Sequence, residues 1–181
     1  MDKKRVDAKP TSVQQLHILP ATLQDLDEIT KIYEIAKEYM KATGNPNQWN
    51  GSYPEREMLA ADIEKKRLYV CKDEEGVQAV FAFIIGEDPT YSYIEDGEWL
   101  NDKPYGTSHR IASRGEIKGI FKRCLDFCME QIPNIRIDTH KDNKVMQHLL
   151  TKHGFRKCGI IYLQNGSKRI GYQYGKIVEN A

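Results

Sequence analysis

Apolar positions along this chain recur in two rhythms. Leu26, Ile29, Ile32, Tyr33, Ala36 and Met40 follow helical spacing, after a capping Thr22 and before a Gly44-Asn45-Pro46 stop. Ser52 with Glu55 forms a capping-box pattern with Pro54 in the first turn, predicting a second helix from Pro54 to about Lys66. Ile117, Ile120, Phe121, Cys124, Leu125, Cys128 and Met129 make the clearest stripe, with Pro133 beyond its end. A fourth helix carries Val145, Met146, Leu149 and Leu150 on its inner face, is capped by Asp142 or Asn143, and ends at Gly154.

The other rhythm is that of strands. Leu16 to Leu19 is a short one, stopped by Pro20. Leu68 to Cys71 and Val77 to Ile85 follow, joined across Asp73-Glu74-Glu75-Gly76, and the second is apolar on both faces, as a central strand would be. Tyr105 to Ala112 and Ile135 to Asp138 come next. Phe155 to Leu163 and Arg169 to Tyr174 close the chain around the hairpin signal Asn165-Gly166. The order β-α-α-β-β-β-α-β-α-β-β predicts an α+β (mixed α/β) domain, with a central, largely antiparallel twisted sheet and about four helices on both faces. The strand-helix-strand unit His109–Ile137 predicts two parallel neighbours with a right-handed crossover. Polar, aperiodic Met1–Val13 reads as a flexible tail, leaving residues 14–181 as one domain.

Composition narrows the class. The chain has 181 residues, 40% hydrophobic and 29% charged, as a soluble globular protein does. A net charge of +1, from 27 basic and 26 acidic side chains, provides no general field for nucleic acid or anionic membrane. No apolar run is long enough to span a bilayer, and no apolar segment follows the basic N-terminus as in a secretory signal. Cys71, Cys124, Cys128 and Cys158 include no C-x-x-C pair and read as reduced thiols of a cytoplasmic protein. Cys124 and Cys128, one helical turn apart, read as core packing, and His17, His148 and His153 lack ligand spacing, so no metal is expected.

The densest chemistry lies in His109–Gly119, HRIASRGEIKG, where an apolar strand turns into a helix. A helix start offers unpaired N–H groups and a partial positive charge. Gly115 and Gly119 let the backbone approach a ligand, while Arg114 and Lys118 add charge, so the turn can cradle a phosphate. Downstream, Asn143-x-x-Met146-x-x-Leu149-Leu150-x-x-x-Gly154-Phe155 makes a second pattern.

Together with the element order, these two motifs resemble the GNAT superfamily of acyl-CoA-dependent N-acetyltransferases, from about Gln14 to Ile177, and within it a subgroup of small bacterial members. The resemblance implies that acetyl-CoA is the cosubstrate. Its pyrophosphate would lie on Arg114, Gly115, Ile117, Lys118, Gly119 and Ile120, and its pantetheine arm beside Asn143 and Met146. An oxyanion contact would come from a backbone N–H around Ile111, Ala112 and Ser113. Two positions depart from the family pattern: Ile117 stands where the middle loop glycine is usual, and Leu150 where many members carry a tyrosine acid.

Acetyl transfer to an amine needs a base, oxyanion donors and alignment. If extended backbone continues to His140, then Arg136, Asp138 and His140 share one strand face, and Asp138 can orient His140 as the catalytic pair. Alternatively, Asp138 pairs with Arg136 or a backbone group and His140 is a loop residue. His109 reads either as a partner of this strand or as structural. Trp49 and Tyr53 lie where the family often builds its acceptor pocket. Tyr91, Tyr93, Glu95, Asp96, Glu98 and Trp99 form an aromatic, acidic cluster suited to a cationic amine, Tyr91 and Glu98 above all, or else a solvated loop. Tyr162 and Tyr172 read as sheet packing. The expected activity is transfer of acetyl to a primary amine of a small molecule or a peptide by direct attack in a ternary complex, and a homodimer is compatible with it. The rival reading is a catalytically weak acyl-CoA-binding sensor or scaffold. A nucleic-acid-binding module lacks the basic aromatic stripe it would need.

Overall fold

The helical stripes and the alternating runs fold as two helix layers on one sheet. The computed structural model describes residues 12–175. Its helices are α1 (Leu26–Ala42), α2 (Arg56–Glu64), α3 (Ile120–Gln131) and α4 (Lys144–Lys152). Its strands are β1 (His17–Pro20), β2 (Leu68–Asp73), β3 (Gly76–Ile85), β4 (Gly106–Ser113), β5 (Ile135–Thr139), β6 (Arg156–Tyr162) and β7 (Lys168–Tyr174). All seven strands lie in one sheet, ordered β1-β2-β3-β4-β5-β7-β6. Every neighbouring pair is antiparallel except β4–β5, the parallel pair that the strand-helix-strand unit predicts. Among the described residues, no helix is long and apolar enough to cross a membrane.

Side chains alternate across the pleat, so β3, apolar but for Gln78, feeds both cores. Ala79, Phe81 and Phe83 meet Ile120, Phe121, Cys124 and Leu125 of α3 and Leu150 of α4. Val77, Val80 and Ala82 meet Ile29, Ile32 and Tyr33 of α1 and Leu59 and Ile63 of α2. Full burial of each such aliphatic side chain stabilises the fold by about 1.5–3 kcal/mol. A third, smaller cluster of Tyr91, Tyr105 and Ile161, with Trp99 against it, packs the β3–β4 connection onto β6.

Three local differences from the sequence pattern have physical causes. α3 begins at Ile120 rather than at Ile117, because Gly119 holds φ +86°, a left-handed conformation that cannot lie within an α-helix. Ile117 still packs against the core, from the turn, so the apolar stripe outlasts the helix. α2 begins at Arg56, since the Ser52 hydroxyl bonds the Glu55 side chain at 3.2 Å instead of capping a backbone N–H. Of the expected tail, residues 1–11 lie outside the described residues, whereas Val13 opens a short 3-10 turn and packs on the α3 side of the sheet.

The consequential irregularity is in β4. Its parallel ladder to β5 has two residue pairs, Gly106 with Ile135 and Thr107 with Arg136. Just beyond, the register with β3 slips between Val80 and Ala82, and Arg110 takes φ +52°. A bulge bends and twists its strand, and a left-handed non-glycine residue costs about 1–2 kcal/mol. The helices hold that conformation in place. The Tyr33 hydroxyl of α1 donates to the Arg110 carbonyl at 2.8 Å, and the Arg110 guanidinium pairs with Asp62 of α2. Both charged side chains are nearly buried, at 12% and 13% exposure.

Removing one partner of a buried pair strands the other charge. Asp62→Ala is therefore expected to destabilise the protein by about 3 kcal/mol in urea unfolding, well beyond an ordinary surface substitution. A loss below about 0.5 kcal/mol would show that the bulge does not depend on this clamp.

Candidate active site

Where β4 and β5 part, a cleft of about 420 Å³ opens between them. Ser108 to Ile111 form one wall, Ile137 to Thr139 the other, and Asn143 and Met146 of α4 border it. Beyond Thr107, no β5 residue pairs with the facing edge of β4, so backbone donors and acceptors of that edge border the opening. Arg110, which also lines the cleft, keeps its guanidinium on Asp62 of α2.

The floor of the cleft is acidic and imidazole-bearing. Asp138 of β5 accepts a hydrogen bond from the buried Tyr91 hydroxyl at 2.7 Å. His109 of β4 places Nε2 3.2 Å from Asp88 Oδ2. The Thr90 N–H and hydroxyl donate to Asp88 Oδ1 at 2.9 and 2.7 Å. Burial alone would raise the Asp88 pKa, but these bonds from His109 and Thr90 outweigh it and hold the carboxyl down at about 2. Burial, then the adjacent Asp138 carboxylate, pushes the Tyr91 phenol well above its ordinary range.

The segment between α1 and α2 roofs the cleft. Trp49 stacks edge-on against Tyr33 at 5.5 Å and lies 6.5 Å from Tyr53, and both Trp49 and Tyr53 line the cleft. Gln48 ties the roof to the far wall. Its Oε1 accepts from Asn45 at 2.9 Å, from Asn143 at 2.8 Å and from Thr139 at 3.4 Å, while Arg169 donates to its backbone carbonyl at 3.3 Å.

The phosphate-cradle turn is open. Gly115 has φ +84° with nothing within 4 Å of a Cβ position, and Lys118 is exposed. No acidic side chain occupies the first turn of α3, whose leading N–H groups lack intrahelical partners. Arg114 differs from expectation. Its Nε donates to the Val77 carbonyl at 2.7 Å and its guanidinium reaches Glu28 at 3.2 Å, so it fastens the loop to α1 instead of facing the turn. Ile111 lines the cleft, Ala112 is buried on the α1 side, and Ser113 Oγ accepts the Gly115 N–H at 3.3 Å. Asn143 caps α4 by accepting the Met146 N–H at 3.0 Å and donates to Gln48, so both ends of its amide are engaged. Leu150, at the position of the family's tyrosine acid, is fully buried.

Two expected groupings do not form. β5 ends at Thr139, so His140 leaves the strand face of Asp138, and its Nδ1 accepts the Asp142 N–H at 3.2 Å. Asp138 pairs with Tyr91 and not with Arg136, whose guanidinium sits 4.3 Å from the Trp99 ring centre and 4.1 Å from that of Tyr105. Glu98 is exposed and outside the cleft, because Trp99 next to it turns inward and Glu95 bridges to Ile160. Within the acidic aromatic cluster, Trp99 packs on Arg136, Tyr93 and Glu95 meet Tyr162, and Tyr91 touches the site through Asp138. Sequence reasoning missed Asp88, Gln48, Arg110 and Arg169. Asp88 carried a signal as the cap of the short Pro89–Tyr91 turn, while the others reach the cleft through contacts far along the chain.

Solved structures with this architecture include an acetyltransferase of the GNAT family from Streptococcus agalactiae, at 33% identity and TM-score 0.79, covering 90% of this chain and 96% of that one. Another, from Listeria monocytogenes and of the same family, has 18% identity and TM-score 0.63, covering 87% and 93%. The Salmonella typhimurium protein yncA, solved with its cofactor acetyl-CoA, has 14% identity and TM-score 0.57, covering 92% and 96%. At such identities, the last two show the fold. No family model and no curated protein matches the chain.

The depressed Asp88 pKa fixes the sign of a pH effect. A carboxyl at about 2 in the fold, against 3.8 ordinarily, stabilises the folded state by about 2 kcal/mol above pH 4. That contribution is lost as pH falls from about 4 to 2. Urea unfolding across this range should show a loss of that size, absent in Asp88→Asn, and equal slopes for the two proteins would rule the linkage out.

Proposed function

Because this chain belongs to the GNAT family of acetyltransferases, we propose that it transfers an acetyl group from acetyl-CoA to a primary amine by direct attack, with both substrates bound. The observation that carries this reading is the early parting of β4 and β5, which leaves open strand edges on a polar cleft. Such an edge offers ladder hydrogen bonds to an extended ligand, and the amide-bearing pantetheine arm of CoA can take the place of the missing strand pairs. The start of α3, with Lys118 and the Gly115 and Gly119 backbone, supports a role in holding the diphosphate. Donors on β4 around Ile111 would meet the thioester oxygen as negative charge develops there.

His109 is the proposed base. In the tautomer that donates Nε2–H to Asp88, the ring keeps its lone pair on Nδ1. The ring first takes one proton from the bound ammonium, which frees the nitrogen lone pair; as the N–C bond forms and the C–S bond breaks, the nitrogen's second proton passes to the departing thiolate, and the ring releases the first to solvent. A thiol pKa near 8.5 makes the thiolate an adequate leaving group, so a buried Leu150 is no obstacle. On the facing strand, Asp138, held by Tyr91 of the β3–β4 connection, provides the charge that draws the ammonium form of the acceptor into the cleft. Trp49 and Tyr53 supply its aromatic wall.

His109→Gln is expected to lower kcat by about 100-fold and to remove the acid limb of the pH–rate profile, while His140→Ala retains that limb. A His109→Gln enzyme with an unaltered profile would place the base elsewhere. Lys118→Ala should raise the acetyl-CoA Kd by about fivefold in calorimetry, more at low salt. An unchanged Kd would remove the loop from diphosphate binding.

A further inference from the structure

A second cavity, of about 510 Å³, adjoins the cleft across a wall formed by Asn47, Asn50, Ser167 and Arg169, which line both. Every ionisable side chain lining it is basic: His140 and Lys141 after β5, and Lys168 and Arg169 at the start of β7. Three carboxylates stand nearby without lining it, one of them Asp138 on the cleft side, whose charge acts on Arg169. Glu95 lies 3.5 Å from Lys168, and Asp142 lies 3.5 Å from His140. Arg169 is buried, yet it donates to the Lys168 and Gln48 carbonyls, at 3.0 and 3.3 Å, rather than to a carboxylate. Among the described residues, neither Arg169 nor Lys141 has an acidic side chain within ion-pair distance. Burial, followed by the Arg169 charge and, against the opposing Asp142 carboxylate, the Lys141 charge, lowers the His140 pKa.

We infer that this cavity binds an anionic group of the acceptor, so that the substrate is an amine bearing a carboxylate or phosphate a short reach from its nitrogen. The inference rests on the acetyl-transfer reading above and narrows it. The two compartments complement the two ends of such a molecule, with Asp138 and Asp88 on the amine side and Lys141, Lys168 and Arg169 on the anion side. A polyamine would set a second positive charge against three cations. An amino acid, a short peptide with a free C-terminus and a phosphorylated amino sugar all satisfy the arrangement, and they differ in which anion they present.

Two measurements test this. In the first, inorganic phosphate is titrated into the protein at constant ionic strength, and the His140 ring signal is followed by NMR. A saturable shift is expected in the wild type and in Lys118→Ala, weakened at least tenfold in Lys141→Ala/Lys168→Ala. No saturable shift, or one that survives the double substitution, overturns the inference even if no acetyl transfer is found. In the second, thiol release from acetyl-CoA is followed with matched acceptors: glycine against glycine amide, a dipeptide against its amide, glucosamine 6-phosphate against glucosamine, and spermidine. The anionic member of a pair should lead in kcat/KM by at least tenfold, and the double variant should lose that lead through KM with the acetyl-CoA Kd unchanged. A lead for uncharged or polycationic acceptors, or an anion preference kept by the double variant, overturns it. Failure of acetyl-CoA to bind sinks the acetyl-transfer reading instead, and the phosphate titration still decides the cavity.

Discussion

One backbone conformation organises this protein: the left-handed turn of Arg110 within β4. A strand in a mixed sheet would ordinarily hold its neighbour along its whole length. Here the bulge bends β4 away from β5 after two residue pairs. The conformation is unfavourable for a side chain with a Cβ, and it persists because two helices grip it from above. Tyr33 takes the carbonyl and Asp62 takes the guanidinium. Strain at the site is thus held by packing elsewhere, the usual condition for a strained residue to survive.

The rest of the site follows from that parting. The gap exposes backbone groups that a closed sheet would have paired, and it lets side chains from both strands converge on one space. His109 and Asp138, from different strands, reach the same cleft through it, each held by a partner from the β3–β4 connection, Asp88 and Tyr91. The Gln48 amide ties the roof to the far wall. Gln48 joins the segment after α1 to Thr139 and Asn143, at the two ends of the β5–α4 connection, so the acceptor side of the cleft is built from two parts of the chain that touch only in the fold.

Much of the architecture was legible in the sequence because it depends on local periodicity. The stripes of α1 and α3, the two-faced apolar run of β3, the Asn143 cap and the Asn165-Gly166 hairpin each have a short-range cause, and each element lies where its pattern places it except at the start of α3, which Gly119 delays to Ile120. The parallel β4–β5 pair was also legible, since a strand-helix-strand unit leaves few alternatives. Side-chain assignments were less so. Arg114 reads as a phosphate ligand by its place in the loop, but Glu28 and the Val77 carbonyl, distant in sequence, capture it. His140 is two residues from Asp138, and the end of β5 between them turns it into a different cavity.

The sequence by itself therefore determined the elements, their order and the glycine-bearing turn at the head of α3, because hydrophobic spacing, caps and turn residues act over a few positions. Only the tertiary structure decided which charged groups meet. The Arg110–Asp62 clamp, the His109–Asp88 pair, the Gln48 bridge and the basic cavity behind Arg169 each join residues from separate elements. Hydrogen bonds and ion pairs act over about 3 Å, and the distance between two side chains is set by the whole packed chain, not by the few residues on either side of each.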